Sequence, residues 1–266
     1  MKTIDKAVLT LMQRVSRDII LPRFRNLEAS EIEDKGKNEL VTVADKESEI
    51  ALTEGVEAIM PGLAIVGEEA CETDPSLYEG LSRQCWIIDP IDGTGNFAGG
   101  HAPFGILIAL AEGGRTQSGW IYDPLAERFC HAHRGQGAWI DGEAVSARST
   151  GQTPPIAGIS TLFMKEGRRE KVQEHIAPNY TLVDIPRCAA EQYPRLALGE
   201  NDVTLFERTL PWDHAAGALW LNETGGKVAR PDGSEYRVDE WDRPGLIGAA
   251  SPSLWDELAQ RMEKLA

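Results

Sequence analysis

The chain has no apolar run approaching the ~18 consecutive residues that a membrane-spanning helix requires. Its opening, MKTIDKAVLT, carries the acidic Asp5 and no apolar block ending in a small-residue cleavage site, so no secretory signal is expected. Cysteine is scarce. The four present (Cys71, Cys85, Cys130 and Cys188) are scattered, with no CxxC pair and no metal-ligand spacing, and read as plain thiols in a reducing cytosol. Positive charge is short as well: 27 Lys and Arg stand against 42 Asp and Glu, a net −15. Such a surface repels nucleic-acid backbones and anionic membranes, so neither is expected as a partner. Internal repeats and low-complexity tracts are missing. No Ser-His-Asp or Cys-His order stands out, and Cys188 lacks an obvious activating base.

What is present is an ordinary globular composition, 42% hydrophobic and 26% charged over 266 residues. That length suits one large domain or two tightly packed subdomains. Ile4, Val8, Leu11, Met12, Val15 and Ile19 recur at helical spacing, predicting an amphipathic helix over residues 3–20. A charged stretch leads to LVTVAD, a short extended run, and then to a helical segment from Asp45 to Met60 stopped by Pro61-Gly62. LAIVGEE and CWIIDP read as strands that end in carboxylates. From Phe104 to Val145 the pattern is strands (FGILIALA, GWIYDP, RFCHAH, GAWIDGEAV) broken by Gly and Asp-Gly turns. The second half interleaves strand candidates IAGIS, TLVDIP, VTLFE, GKVAR and GLIGAA with helix candidates near 165–175, 189–199, 213–223 and 252–265. The expectation is a mixed sheet followed by an α/β layer. STGQTPP (149–155) is the best linker candidate, giving subdomains 1–148 and 149–266.

Three places put acids at the ends of extended runs, and a fourth puts one at the start of a helix. In Trp86-Ile87-Ile88-Asp89-Pro90-Ile91-Asp92-Gly93-Thr94 a buried strand delivers Asp89, and Pro90 fixes the chain direction before Asp92. Two carboxylates so spaced can converge on one point, with the Ile91 carbonyl between them as a third oxygen. Mg²⁺ takes oxygen ligands of this kind. On an acidic protein, a bound cation would also cancel the field that repels a phosphate. Gly93-Thr94 offers backbone N–H groups to an anion. An ordinary strand-end turn is the alternative, since Asp, Pro and Gly all favour turns. Gly67-Glu68-Glu69 follows a second strand, Val41-Thr42-Val43-Ala44-Asp45 forms a third extended run ending in Asp, and Trp212-Asp213-His214 opens a helix. Glu69 reads as solvated surface, and Asp213 could be a helix cap, a ligand or both.

VTVAD, GEE, WIIDPIDGTGNF and WDHAAG, in this order and spacing, resemble the inositol monophosphatase family of magnesium-dependent, lithium-sensitive phosphatases. RGQGAWIDGEAV is similar to a strand-turn segment of the same family, and the likeness covers nearly the whole chain. The resemblance implies a layered αβαβα sandwich and a hydrolase for a small phosphorylated metabolite, cytoplasmic and homodimeric. It implies that Glu68, Asp89 and the Ile91 carbonyl hold one Mg²⁺, while Asp89, Asp92 and Asp213 hold a second. Gly93 and Thr94 would meet the phosphate, with Ile91, Asp92 and Asp213 on the substrate side. Thr94, supported by Asp45, would with Glu68 position and deprotonate the attacking water. Either Lys35 or Lys37 would lie near the site.

Departures from the family pattern concern substrate. Gly95 follows the Asp-Gly-Thr triplet where many members carry a polar residue. Arg187-Cys188-Ala189-Ala190-Glu191 replaces a small polar turn, and Phe206, beside Glu207, stands where a ring-binding glutamate is usual. Arg187 is a candidate for a second anionic group of the substrate. The rivals are a 3′(2′),5′-bisphosphate nucleotidase, a fructose-1,6-bisphosphatase and a histidinol-phosphatase. A regulatory binding protein that keeps the fold is a further reading, because some bacterial relatives act on the transcription machinery. His131 and His133, alternating on a strand, read as structural or solvent-facing rather than metal-binding. His101 lies in a loop near the motif, and His214 reads as packing or rim.

Overall fold

The computed structural model describes residues 1–36 and 39–265, so Lys37 lies outside the described residues. Helix α1 (Thr3–Val15) buries Val8, Leu11, Met12 and Val15 along one face, as their spacing predicts. The α-helical part ends at Val15, and a wider turn (Ser16–Ile20) continues into the short α2 (Leu21–Arg23). Strands β1 (Ile32–Gly36) and β2 (Glu39–Thr42) form an antiparallel ribbon. The extended part of VTVAD stops there. Thr42 is the N-cap of α3 (Val43–Ile59), its hydroxyl accepting from the Ala44 and Asp45 amides, while the Asp45 carboxylate accepts from the Thr42 amide in return. Asp45 therefore sits in the first turn of a helix and not at a strand end.

There follow β3 (Ala64–Gly67), α4 (Glu68–Thr73), β4 (Cys85–Asp92), α5 (Thr94–Ala98), β5 (Gly105–Glu112), β6 (Arg115–Asp123), β7 (Arg128–His133), β8 (Gly137–Ile140) and β9 (Glu143–Val145). These strands pair in sequence order into one seven-stranded sheet, antiparallel except for β3 beside β4. The rest comprises β10 (Ile156–Ile159), α6 (Glu166–Lys171), β11 (Thr181–Leu182), α7 (Ala189–Ala197), β12 (Val203–Phe206), α8 (Pro211–Glu223), β13 (Lys227–Ala229), β14 (Leu246–Ala249) and α9 (Pro252–Glu263). The second sheet has the order β11-β10-β12-β14-β13, with β10 parallel to both β11 and β12. Only Thr181 and Leu182 of TLVDIP pair as a strand; the segment then turns toward the cleft described below.

Three apolar layers glue the sandwich. Val8, Met12, Leu52 and Val56 of α1 and α3 meet Trp86, Ile88, Ile106 and Trp120 on one face of the large sheet. Its other face, through Ile87, Leu107 and Ile121, meets Tyr193, Leu196, Ala216 and Trp220 of α7 and α8. Beyond the small sheet, Ala157, Val203 and Ile247 meet Val172, Trp255 and Leu258. The order is αβαβα. α8 is apolar nearly all round because sheets cover it on both sides. Burying a side chain such as Trp220 contributes ~2–3 kcal/mol. Gly119 permits the close approach of α8 to β6, since a Cβ there would stand 2.8 Å from the Ala216 Cα.

Of the two readings of His131 and His133, the structural one holds: they are 2% and 4% exposed, with α1 packed on β6 and its Asp5 reaching His133. Asp5 descends from α1 and accepts from the Trp120 indole (3.0 Å), the Lys2 amide (2.7 Å) and His133 Nε2 (2.9 Å). His133 Nδ1 in turn lies 2.8 Å from the Ser118 hydroxyl. Burial alone would raise the Asp5 carboxyl, but these hydrogen bonds outweigh it and hold it at about 2. The linker candidate is pinned to the small sheet, as Asp202 accepts from the Thr150 and Ile156 amides (both 2.8 Å). No helix among the described residues is long and apolar enough to cross a membrane.

Candidate active site

In an uninterrupted strand, residues three apart point to opposite faces. Asp89 and Asp92 escape this. Opposite β5, Asp89 pairs with Leu107 and Asp92 with Gly105, so three steps on β4 match two on β5. The extra residue is a β-bulge at Pro90-Ile91. It resets the alternation and turns both carboxylates toward the face that Leu107 shares with α7 and α8. Asp213, in the first turn of α8, reaches the same point from the second half of the chain. The three acids place carboxylate oxygens within 4.8 Å of one another.

Neighbouring groups fix each acid. Asp89 accepts from the Ile91 amide (3.1 Å), and Asp92 accepts from the Ala190 amide at the start of α7 (2.6 Å). The latter contact needs a glycine at Gly105, where a Cβ would stand 2.7 Å from that of Ala190. Burial, then the Asp213 charge, pushes the Asp92 carboxyl up to about 7. Burial, then Glu68 and the other acids, raises Asp89 well above the carboxylate range, and burial raises Asp213 against the pull of Arg208. The Arg208 Nη2 lies 3.7 Å from Asp213.

Glu68 opens α4 and lines the same cleft, yet it lies outside the tight triplet. Lys35 reaches across from β1, 4.0 Å from Glu68 and 2.8 Å from Glu69 and Glu72. These carboxylates outweigh the burial of Lys35 and hold it charged. Glu69 is thus an ion-pair partner, not solvated surface. Behind it, Glu49 accepts from the Glu69 and Ala70 amides (both 2.8 Å), clamping the turn that carries Glu68. Sequence reading missed Glu49. Its only local signal is its place one helical turn after Asp45 on α3.

Asp45 is fully buried, and burial raises it to about 6 against the opposing bond from the Thr42 hydroxyl. The Thr94 hydroxyl lies 3.1 Å from Asp45 Oδ1 and 3.0 Å from the Ile91 carbonyl. Gly93 adopts φ +86, and a Cβ there would press on Pro103 O and Cys188. The Asn96 amide donates to Pro103 O (2.7 Å) and Pro186 O (2.9 Å), tying this turn to the Arg187 segment.

Glu68, Asp89, Asp92, Asp213, Gly93, Thr94 and Asn96 line a cleft of about 890 Å³, with Arg187, Phe206, Glu207, Arg208 and His101 also on its walls, while Asp45, Glu49 and Lys35 stand behind it. Arg187 is exposed, with a positive φ of 52. His214 is packing: it lies 2.8 Å from the Tyr193 hydroxyl and 3.0 Å from the Arg208 carbonyl, and burial lowers it to about 3. The donor set fits a hard cation, since buried oxygens that raise one another's pKa are relieved by shared positive charge.

The family model for the inositol monophosphatase family matches residues 1–265. The inositol-1-monophosphatase of Bacillus subtilis is 35% identical over 214 residues, 79% of each chain. The Nus factor SuhB of Escherichia coli K12 is 29% identical over 267 residues, 94% of this chain and 96% of its own. Among solved structures, the extragenic suppressor protein suhB of Bartonella henselae matches with a TM-score of 0.83 at 23% identity over 99% of both chains. The Thermotoga maritima IMPase TM1415 matches at 0.78 and 22% over 97% of both. Those two likenesses show the fold. With the family model matched almost end to end and a relative 35% identical over 79% of its length, the chain belongs to the inositol monophosphatase family.

Proposed function

We propose that the protein hydrolyses a small phosphate monoester with Mg²⁺ as its cofactor. The reading rests on the convergence of Asp89, Asp92 and Asp213 within 4.8 Å, drawn from both halves of the chain. In it, these three acids, Glu68 and the Ile91 carbonyl hold the metal. Bound Mg²⁺ neutralises phosphate charge and lowers the pKa of its water. Gly93 and Thr94 meet the phosphate beside Ile91, Asp92 and Asp213, and Arg187 meets a second anionic group. Thr94, held near Asp45, aligns the attacking water together with Glu68. A proton passed on by the Thr94 hydroxyl would go to the buried Asp45 carboxylate 3.1 Å away. In-line transfer to water needs little beyond such positioning and charge cancellation.

The test is phosphate release from inositol phosphates, sugar phosphates, histidinol phosphate and adenosine 3′,5′-bisphosphate, with and without Mg²⁺. Activity on at least one ester should rise and saturate with Mg²⁺; full turnover in excess EDTA would sink the metal role. The same reading makes the protein a cytoplasmic homodimer, which sedimentation and fractionation check. The 29% identity to a Nus factor SuhB favours a second reading, a regulatory binding protein that keeps the fold. A folded, Mg²⁺-binding protein silent on every ester would move the function there.

A further inference from the structure

The cleft is longer than a phosphate requires, and its far end differs from its acidic end. Loops leaving three parallel strands build that end: Leu162 and Phe163 after β10, Ile185 and Pro186 after β11, and Phe206 closing β12. The chain leaves β10 for α6 in the outer layer and β12 for α8 in the middle layer, opening a crevice where α/β sheets bind ligands. Phe163 is 36% exposed, and the Arg208 guanidinium lies 4.2 Å from its ring centroid. Phe206 is backed by Tyr193 and His214, with centroids at 5.7 and 4.6 Å.

Polar groups on this wall are largely engaged. Glu207 accepts from Arg168 at 2.9 Å, and the Thr204 hydroxyl donates to the Gly158 carbonyl at 2.7 Å. Gln192 is not. It lines the cleft, is 2% exposed, and neither atom of its amide has a partner among the described residues. Leaving such an amide unpaired is costly, so a ligand edge that engages it is favoured.

We propose, on the reading that the site hydrolyses a phosphate monoester, that the substrate's alcohol carries a planar aromatic or heteroaromatic ring lying across Phe163 and Phe206. A polyol ring would bury hydroxyls against Leu162, Phe163, Ile185, Pro186 and Phe206, whereas an aromatic ring gains from packing against the two phenyl side chains. A ring heteroatom would pair with the Gln192 amide. The chemistry spares the ring: the bond from phosphorus to the alcohol oxygen breaks, one to the water oxygen forms, and a water proton ends on the departing alcohol.

The experiment compares 2-phenylethyl phosphate and 2-(pyridin-3-yl)ethyl phosphate with myo-inositol 1-phosphate and glycerol 2-phosphate, all with Mg²⁺. The ring-bearing esters should show kcat/KM about tenfold higher. In Phe163→Ala and in Phe163→Leu, which keeps apolar bulk but no ring, the ratio of kcat/KM for 2-phenylethyl phosphate to that for glycerol 2-phosphate should fall about fivefold. Equal or better use of myo-inositol 1-phosphate, or an unchanged ratio in both folded variants, would overturn the aromatic assignment and leave the phosphatase reading standing. Silence on all four esters would overturn the aromatic assignment, and silence on the wider panel above as well would overturn the phosphatase reading.

Discussion

Replacing Asp89 by Asn removes one charge from the acid cluster while keeping an oxygen to accept from the Ile91 amide, 3.1 Å away. At the 4.8 Å limit of the cluster, two carboxylates repel by about 3.5 kcal/mol at an effective dielectric of about 20. Asp89 has two such neighbours, so the fully ionised limit is about 7 kcal/mol. Proton uptake relieves most of this, because burial and mutual repulsion both favour the neutral acid; about 1–3 kcal/mol should remain for the substitution to recover. At about 2–4 °C per kcal/mol for a chain of this size, metal-free Asp89→Asn should melt roughly 2–12 °C above the metal-free parent. Mg²⁺ reverses the order. At about 100 times its dissociation constant it stabilises the parent by about 2.7 kcal/mol, some 5–10 °C, and the variant far less. Thermal unfolding in EDTA and in Mg²⁺ reads both effects, and phosphate release should be abolished in the variant. A metal-free variant that melts below the parent, or a Mg²⁺ shift equal in both, would refute the reasoning.

Three further outcomes follow from named contacts. Glu49→Ala strips the acceptor from the Glu69 and Ala70 amides, so it should cost about 1–3 kcal/mol and raise the Mg²⁺ concentration for half-maximal activity. An unchanged Mg²⁺ activation curve would show that the clamp does not position Glu68. Asp5→Asn tests a carboxyl lowered from 3.8 to about 2. A depressed folded pKa contributes stability above the unfolded value and loses it on acidification, here about 2.4 kcal/mol at neutral pH and about half that near pH 3. Urea unfolding of parent and variant should therefore converge as pH falls, and a constant gap would contradict the linkage. Arg187→Ala should lower kcat/KM more for a substrate with a second anionic group than for a simple monoester; equal losses on both would remove Arg187 from that role.

Elements announced by periodicity were legible in the sequence. Val8, Leu11, Met12 and Val15 marked α1, because burial of one helix face leaves a repeating trace, and short apolar runs broken by Gly turns marked β5 to β7, which are buried on both faces. The acids at strand ends were legible too, since each ends an apolar run. Their convergence was not. It depends on the bulge at Pro90-Ile91 and on α8 arriving from more than a hundred residues away, and no local pattern encodes either. The Asp5, His133 and Ser118 chain spans 128 positions, so His133 on its strand looked like any alternating residue. The helix at Asp45 was legible, but the extended run was carried through Val43 and Ala44 because Thr42, a strand residue by propensity, is also a strong N-cap. Arg208 and Phe163 gave no signal and Glu49 only its place one helical turn after Asp45, since their roles come from contacts that no local pattern marks.

The site is a property of the middle layer more than of either sheet. β4 alone supplies Asp89, Asp92 and the Ile91 carbonyl, but Asp92 is held by the Ala190 amide of α7, and the triplet closes only with Asp213 of α8. Both helices lie between the sheets and share the core that joins them. Glycines set how closely they lie: Gly105 admits Ala190, Gly119 admits Ala216, and Gly217 admits the Tyr193 ring. A Cβ at any of them would have to push a helix outward by a fraction of an ångström or more, in a core too closely packed to absorb the shift locally. Such a shift would open the acid cluster before it disturbed the pairing of β4 with β5. The outer layer at α3 works in the same sense from the other side, with Asp45 facing Thr94 and Glu49 bracing the turn of Glu68. Loss of the site therefore does not require loss of the fold, because helix spacing sets the acid geometry while strand pairing and the outer cores hold the sandwich together.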